Sequence, residues 1–160
     1  MSGAIERTQR LAQPRPQAFE FFADAFNLEA ITPPWLHFRV LTDPPIEIGE
    51  GTLIDYRLRL HGVPVRWRTE IREWRPPERF RDVQIRGPYA VWDHTHSFEP
   101  NGAGGTVMRD LVRYEMPLGP LGQLAERLLV RRDLERIFDY RAAAIERLSP
   151  GARRGPRPAR

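Results

Sequence analysis

Two histidines in the segment 90–98 are the side chains best suited to chemistry in this sequence. If the segment is a β-strand, alternate residues face the same side, and one face presents Trp92, His94, His96 and Phe98. Large aromatic residues favour the interior, so this face is predicted to point inward and to carry both imidazoles with it. Interior imidazoles can act as general acids or bases near neutral pH, or can ligate a metal ion.

An acidic residue on the last predicted strand could partner these histidines. Asp110 and Tyr114 share the face of that strand that also carries apolar side chains. The intervening loop suggests that Phe98 pairs with Thr106. Asp110 would then lie opposite His94, at a Cβ separation of about 4.5–5.5 Å. A carboxylate at that distance holds the imidazole in one tautomer and raises its pKa.

The segment 79–86 has two possible inward faces, and the turn at Gly87-Pro88 decides between them. A two-residue turn would turn Val83 inward. A three-residue turn would place Asp82 opposite His94 and Gln84 opposite Trp92. Because a slip of one residue flips every side chain of a strand, the two registers predict different sites. We favour the second, which adds Asp82 and Gln84 to the inward set.

These residues belong to a predicted antiparallel meander that runs from about residue 38 to residue 114. In 52–60 the even positions are apolar or aromatic and include Tyr56, and in 63–74 the odd positions include Trp67 and Thr69. Alternation of this kind is typical of strands with one buried and one solvated face. His61-Gly62 is a plausible tight hairpin, and the outer faces, rich in arginine, are predicted to be solvated.

Helical patterns flank the meander on both sides. Residues 16–31 carry aromatic and apolar residues at three- and four-residue spacing until Thr32-Pro33-Pro34 ends the pattern. A second pattern runs to about Leu148, with a break near 130–132 or two buried sides. Its second half carries Phe138 and Arg141 on the apolar side and is predicted to lie on the sheet. For Arg141, an outward, snorkelling side chain is favoured over one that points at a ligand carboxylate.

Composition limits the classes of function. The 160 residues suffice for one domain, which we place at 1–150, followed by a disordered Arg/Pro-rich tail at 151–160. Four arginines in the tail account for the formal net charge of +4, so the body is neutral and we expect no nucleic-acid partner. There is no cysteine, no stretch of signal-peptide type and no run of about 18 apolar residues. We therefore predict a cytoplasmic location without stable membrane insertion; no oligomeric state is predicted.

The inward face is too polar for an ordinary packed core. Buried polar groups cost about 1–3 kcal/mol each unless they pair, hold water or meet a ligand. An apolar cavity with a few converging polar groups is the usual form of a small-molecule site. The sequence therefore predicts a site for a hydrophobic or amphipathic small molecule. Its candidate residues are Tyr56, Trp67, Thr69, Asp82, Gln84, Trp92, His94, His96, Asp110, Tyr114 and Phe138.

The sequence resembles the START-related, polyketide cyclase/dehydrase (SRPBCC) helix-grip superfamily, and within it a bacterial ligand-binding branch. The similarity spans residues 5–148. Local strings carry it: Asn27-Leu28-Glu29, Ile31-Thr32-Pro33-Pro34-Trp35, Gly51-Thr52, Gln84 with Gly87-Pro88-Tyr89, and Trp92-x-His94-x-His96-x-Phe98. The resemblance implies an α+β fold in which a curved seven-stranded antiparallel sheet wraps around a long C-terminal helix, with two short helices after the first strand. It also implies an internal tunnel for lipids, polyketides, sterols or hormones.

Three functional interpretations remain open besides ligand binding, which we favour. Two histidines with Asp110 or Asp82 could ligate zinc or iron, but we favour a hydrogen-bonded His/Asp network and predict no metal and no cofactor. A cyclase or dehydratase could use His94 as general acid/base, oriented by Asp110, with Tyr56 or Tyr114 polarising a carbonyl. In the third interpretation the aromatic residues only pack against each other.

Overall fold

The computed structural model describes residues 3–125, 129–148 and 153–154. Its strands form one antiparallel sheet in the order β2-β3-β4-β5-β6-β7-β1-β8. They are β1 (Gly3–Leu11), β2 (Arg39–Val40), β3 (Leu53–Leu60), β4 (Val63–Arg75), β5 (Arg79–Arg86), β6 (Val91–Pro100), β7 (Thr106–Glu115) and β8 (Arg153–Arg154). The helices are α1 (Arg15–Ala23), α2 (Asn27–Ile31), α3 (Gly119–Ala125) and α4 (Arg131–Leu148), with a 3-10 turn at Pro34–Leu36.

The predicted meander from β3 to β7 is confirmed. His61 and Gly62 both have positive φ, at 50° and 81°, which is the backbone of a type I′ hairpin turn between β3 and β4. On the outer face, two of the arginines form bidentate ion pairs across strands. Nε and Nη2 of Arg68 donate to the two carboxylate oxygens of Asp55 at 2.7 and 2.8 Å. Arg81 binds Asp93 in the same way, at 2.8 and 2.6 Å.

Two register irregularities between β4 and β5 bend the sheet. In one, Ile71 pairs with Asp82 and Glu73 pairs with Arg81, so β4 carries an extra residue there. A bulge of this kind reverses the side-chain parity beyond it. Trp74, an even-numbered residue, consequently turns inward and packs against Phe19 with ring centroids 5.1 Å apart. Strict alternation along β4 does not predict this position.

Helices cover the concave side of the sheet. The region predicted as one helical pattern, 16–31, is two short helices, because the chain is extended at Asp24. α4 buries four apolar side chains, which are Leu134, Phe138, Ala144 and Ile145. A π-helical turn at 129–130 precedes it, next to the predicted break. The α+β helix-grip architecture with two short helices after β1 is therefore confirmed.

Only two residues of the predicted disordered tail are described. They form β8, which pairs with Gln9 and Arg10 at the free edge of β1 and extends the seven-stranded sheet by one short strand. The rest of 151–160 lies outside the described residues. Within the described part of the chain, no helix has both the length and the apolar character needed to cross a bilayer.

Candidate functional site

The register between β6 and β7 decides which groups meet in the interior. The expected pairing of Phe98 with Thr106 is wrong: Phe98 pairs with Met108, and Asp110 lies opposite His96 rather than His94. The strands extend further than expected, to a Pro100–Thr106 pair. The side chain of Asn101 organises the shorter loop by accepting hydrogen bonds from two backbone N–H groups.

Because the shift is by two residues, Asp110 keeps its inward orientation. Its carboxylate contacts both imidazoles rather than that of His94 alone. Its Oδ1 lies 3.2 Å from Nε2 of His94 and 2.7 Å from Nδ1 of His96. The contact with His96 is out of line for a hydrogen bond, and it acts as a close charge contact. All three side chains are buried. One carboxylate oxygen thus serves two histidines.

A second carboxylate completes the cluster from β5. Asp82 pairs with His94 in the sheet, as the favoured three-residue-turn register predicts. Its Oδ2 lies 3.2 Å from Nε2 of His96 and 4.0 Å from Nδ1 of His94. His96 is therefore held between two carboxylates, whereas His94 has its one short carboxylate contact with Asp110. We call Asp82, His94, His96 and Asp110 the His/Asp cluster.

These contacts drive the pKa values of the two histidines in opposite directions. Burial and the nearby charge of His96 lower the pKa of His94, and the hydrogen bond to Asp110 does not offset them. Burial also disfavours the charged form of His96, but the charge of Asp110 and the hydrogen bond to Asp82 outweigh it and raise its pKa. The cluster thus favours the neutral form of His94 and the protonated form of His96.

Both carboxylates stay ionised despite burial. Burial alone would raise the pKa of Asp110, but the charge of His96 and the hydrogen bond to His94 hold that pKa well below the usual value. The pKa of Asp82 is lowered too, because its hydrogen bond to His96 and nearby positive charges outweigh burial. Arg141 is one of the positive charges that act on both carboxylates.

Arg141 points into the molecule, so the outward orientation favoured from the sequence is wrong. It borders the same cavity as the His/Asp cluster, and its Cζ lies 5.9 Å from the ring centroid of Phe22. Its Nε and Nη2 atoms are buried and have no hydrogen-bond partner among the described residues. Arginine on the apolar side of a helix usually carries its charged end back to solvent, but here these two nitrogens are buried while the residue as a whole is half-buried.

The cavity lies between the sheet and α4 and has a volume of about 180 Å³. Most of its wall is apolar. Seven of the residues predicted from the sequence line it: Tyr56, Trp67, Thr69, Asp82, Trp92, His94 and His96. Trp67 donates to Oγ1 of Thr69 at 3.1 Å, so these two polar groups satisfy each other. The cavity can therefore hold an apolar group with one end against the His/Asp cluster.

Comparison with known families agrees with this architecture. The sequence profile of the family described as "Polyketide cyclase / dehydrase and lipid transport" matches residues 11–139, which is most of the chain. The chain belongs to that family. Its members bind hydrophobic ligands or act as cyclases. No curated protein matches the sequence significantly.

Solved structures show the same fold at low sequence identity. Protein CV1439 from Chromobacterium violaceum aligns with a TM-score of 0.68 and 15% identity, over 91% of this chain and 96% of that one. The ZhuI aromatase/cyclase from Streptomyces sp. R1128 gives 0.66 and 14%, over 94% and 98%. A START superfamily protein from Mycobacterium smegmatis gives 0.61 and 15%, over 93% and 98%. At these identities the likeness concerns the fold alone.

Four predicted site residues lie behind or beside the cavity wall of this polyketide cyclase/dehydrase family member. Asp110 contacts the histidines from behind. Tyr114 and Phe138 pack in a buried cluster with Val112 and Leu134, and the Phe138 ring lies 5.8 Å from that of His94. The amide of Gln84 donates to the carbonyl oxygen of Tyr89 at 2.7 Å and accepts from its N–H at 3.3 Å. Gln84 therefore closes the turn between β5 and β6.

Tyr89 is a wall residue that sequence analysis missed. It lines the cavity, and its ring lies 4.8 Å from Trp92 and 5.6 Å from Trp67. Burial raises its pKa well above the usual value. The string Gly87-Pro88-Tyr89 contributes to the family resemblance, but the sequence analysis does not place Tyr89 in the site.

Three ligand atoms in the His/Asp cluster lie close enough to suggest a metal site. Asp82, His94 and His96 each offer one such atom, all within 4.8 Å of one another. Asp110 behind both imidazoles resembles the outer carboxylate of many metal sites. However, the two carboxylates favour the protonated form of His96, which cannot ligate a metal through the protonated nitrogens, and Arg141 adds a positive charge nearby. The metal-free network therefore stays our prediction.

Proposed function

We propose that this protein binds a hydrophobic or amphipathic small molecule in the cavity between the sheet and α4. One observation supports this most: the wall of the cavity is mostly apolar, but it also contains Arg141 and three members of the His/Asp cluster, Asp82, His94 and His96. A purely structural core gains nothing from the four ionisable side chains of the His/Asp cluster, because three of them are buried and Asp82 is half-buried, and each costs desolvation energy. A ligand gives them a function. Cytoplasmic location remains a prediction.

The volume of the cavity points to a compact ligand or a compact end of a longer one. An engineered protein cavity of about 150 Å³ binds benzene. A space of about 180 Å³ accordingly suits one aromatic ring with small substituents. Trp67, Tyr89 and Trp92 surround that space with edge-to-face and tilted rings, and such surfaces favour a flat, ring-bearing group.

Filling the cavity from the helix side should abolish binding. Ile137 lines the cavity from α4 and is partly buried, so Ile137→Trp is expected to lower affinity for 4-fluorobenzamide at least tenfold, as followed by ¹⁹F NMR. Glu135→Trp adds the same side chain at a more exposed position of the same helix, where its carboxylate faces Arg131, and should leave affinity within twofold. Equal affinity of Ile137→Trp and wild type would contradict the proposed cavity.

Native mass spectrometry supplies an independent test. Protein purified from its own host should carry a co-purifying organic molecule, and the Ile137→Trp variant should not. Stoichiometric zinc or iron in the wild type would support the metal interpretation instead. Protein that carries no organic molecule and binds no aromatic probe would contradict the proposal.

A catalytic role is the second candidate, and the opposed pKa shifts of His94 and His96 favour it. Neighbouring titratable groups whose pKa values are driven apart are typical of acid/base pairs. His94 is held neutral at the cavity wall and could accept a proton, while His96 could return one. The fold is shared with an aromatase/cyclase, which makes poly-β-keto compounds the substrates to test.

His94→Ala separates catalysis from binding. If the protein is a cyclase or dehydratase, this variant should lose turnover of a poly-β-keto substrate by about 10²–10⁴-fold while its affinity for the substrate changes little. His61→Ala removes an exposed histidine that contacts Asp133 and should keep full turnover. Parallel loss of turnover and affinity in His94→Ala would argue against catalysis.

A further inference from the structure

We propose that the bound molecule carries a carboxylate, and that Arg141 binds it at the helix side of the cavity. This inference rests on the proposed function, since it names the chemical class of the ligand for the same cavity. It predicts a compact aromatic or otherwise flat acid rather than a neutral lipid or sterol.

The free donors of Arg141 have the shape that a carboxylate requires. Its Nε and Nη2 are buried and find no hydrogen-bond partner in the part of the chain that the structure describes, and these two N–H groups lie side by side on one edge of the guanidinium. The same pair of atoms binds a carboxylate twice elsewhere in this protein: in Arg68 with Asp55 and in Arg81 with Asp93. In Arg141 the same two nitrogens are not bound by any carboxylate of the described residues.

Two buried N–H donors without acceptors lower the stability of the folded protein, and a ligand that accepts hydrogen bonds from them removes this cost. Buried donors to which nothing binds lose their hydration without compensation, and the loss is larger for charged groups. The carboxylates of Asp82 and Asp110 act on Arg141 through their charge, but their short contacts are with the histidines. Bidentate binding of a carboxylate is the arrangement for which arginine is better suited than lysine.

The groups around Arg141 determine what a bound anion requires. The titratable groups nearby are Tyr56, Asp82, Asp110 and the two histidines. A ligand carboxylate would add a third negative charge to those of Asp82 and Asp110. That charge would favour the protonated forms of both His94, which lies at the cavity wall, and His96.

The test compares 4-fluorobenzoate with 4-fluorobenzamide, which have nearly the same shape but differ in charge. In the wild type, ¹⁹F NMR titration should show at least tenfold tighter binding of the benzoate. Arg141→Gln should remove this preference, so that the two probes bind with affinities within twofold of each other. Arg136→Gln is the matched control, because Arg136 lies on the same helix but is exposed, with its Cζ 5.5 Å from the ring centroid of Trp35; it should keep the preference.

Each alternative outcome has a distinct meaning. Equal binding of both probes to the wild type, or a preference that survives in Arg141→Gln, would overturn the carboxylate inference while the cavity proposal stands. Failure of both probes to bind would overturn the proposed function as well. If Arg141→Gln does not fold, Arg141→Met supplies a neutral side chain of similar length, and the wild-type comparison alone already decides whether charge matters.

Discussion

Asp110→Asn is expected to lower the free energy of unfolding by about 3 kcal/mol at neutral pH, as measured by urea denaturation. Removing one partner of a buried ion pair typically costs about 3–5 kcal/mol, because the other charge stays buried without compensation. The lower end applies here, since Asp82 still accepts a hydrogen bond from His96 after the change. The asparagine nearly preserves the shape of the side chain, so the loss measures charge rather than packing.

Asp93→Asn is the matched control for this change. Asp93 lies on β6, next to His94 in sequence, but its carboxylate is on the outer face and binds Arg81. Ion pairs at partly exposed positions contribute about 1 kcal/mol or less. A loss in Asp110→Asn no larger than that in Asp93→Asn would contradict the idea that the His/Asp cluster is held together by buried charge.

The same variant should flatten the dependence of stability on pH. The folded-state pKa of Asp110 is depressed, so its contribution is present above its unfolded value of about 4 and is lost as pH falls through the folded value. The folded-state pKa of His96 is raised, so its contribution is complete below about pH 6.5 and is lost as pH rises through the folded value. Both depend on Asp110, and urea titrations from pH 3 to pH 9 should therefore vary less in Asp110→Asn.

Phe98→Ala should destabilise the protein by about 4 kcal/mol, again measured by urea denaturation. Phe98 is 1% exposed, and its ring contacts Phe19 and Phe22 of α1 with centroids 5.5 and 5.7 Å apart. Replacing a buried phenylalanine by alanine costs about 3–5 kcal/mol through lost transfer energy and the cavity that remains. Because this ring joins the sheet to α1, little of that cavity can close.

A phenylalanine at the surface provides the comparison. Phe26 is 37% exposed, and Phe26→Ala should cost about 1 kcal/mol or less. If the two variants were equally stable, the packing of α1 on β6 would not have the importance that we assign to it.

Side-chain parity along the strands could be predicted from the sequence, whereas strand register could not. Alternation of Trp92, His94, His96 and Phe98 with polar residues fixes their common inward face whatever the pairing, because the period of a strand is two. The partner of each residue depends on where the hairpin closes. The side chain of Asn101 in the β6–β7 loop sets that point. The expected pairing of Phe98 with Thr106 leaves seven residues between the strands, whereas the observed pairing of Pro100 with Thr106 leaves five, and this difference displaces Asp110 by two positions.

The direction of long side chains and the positions of bulges also escaped prediction. Arg141 lies on the apolar side of its helix, and sequence alone gives no measure of whether solvent is within its reach. Only the folded arrangement shows that its Nε and Nη2 atoms are buried, beside Phe22 and the cavity. Trp74 turns inward because of an extra residue in β4, which results from how two strands fit together and leaves no mark in the periodicity of either.

The single oxygen of Asp110 that faces two imidazoles makes the histidines a coupled system. A proton gained by one ring changes the electrostatic potential at the other through the atom that they share, at 3.2 and 2.7 Å. Interacting sites of this kind release protons in macroscopic steps that belong to the pair. The ring proton resonances of His94 and His96 should each follow a biphasic titration curve, and neither inflection is the property of one residue.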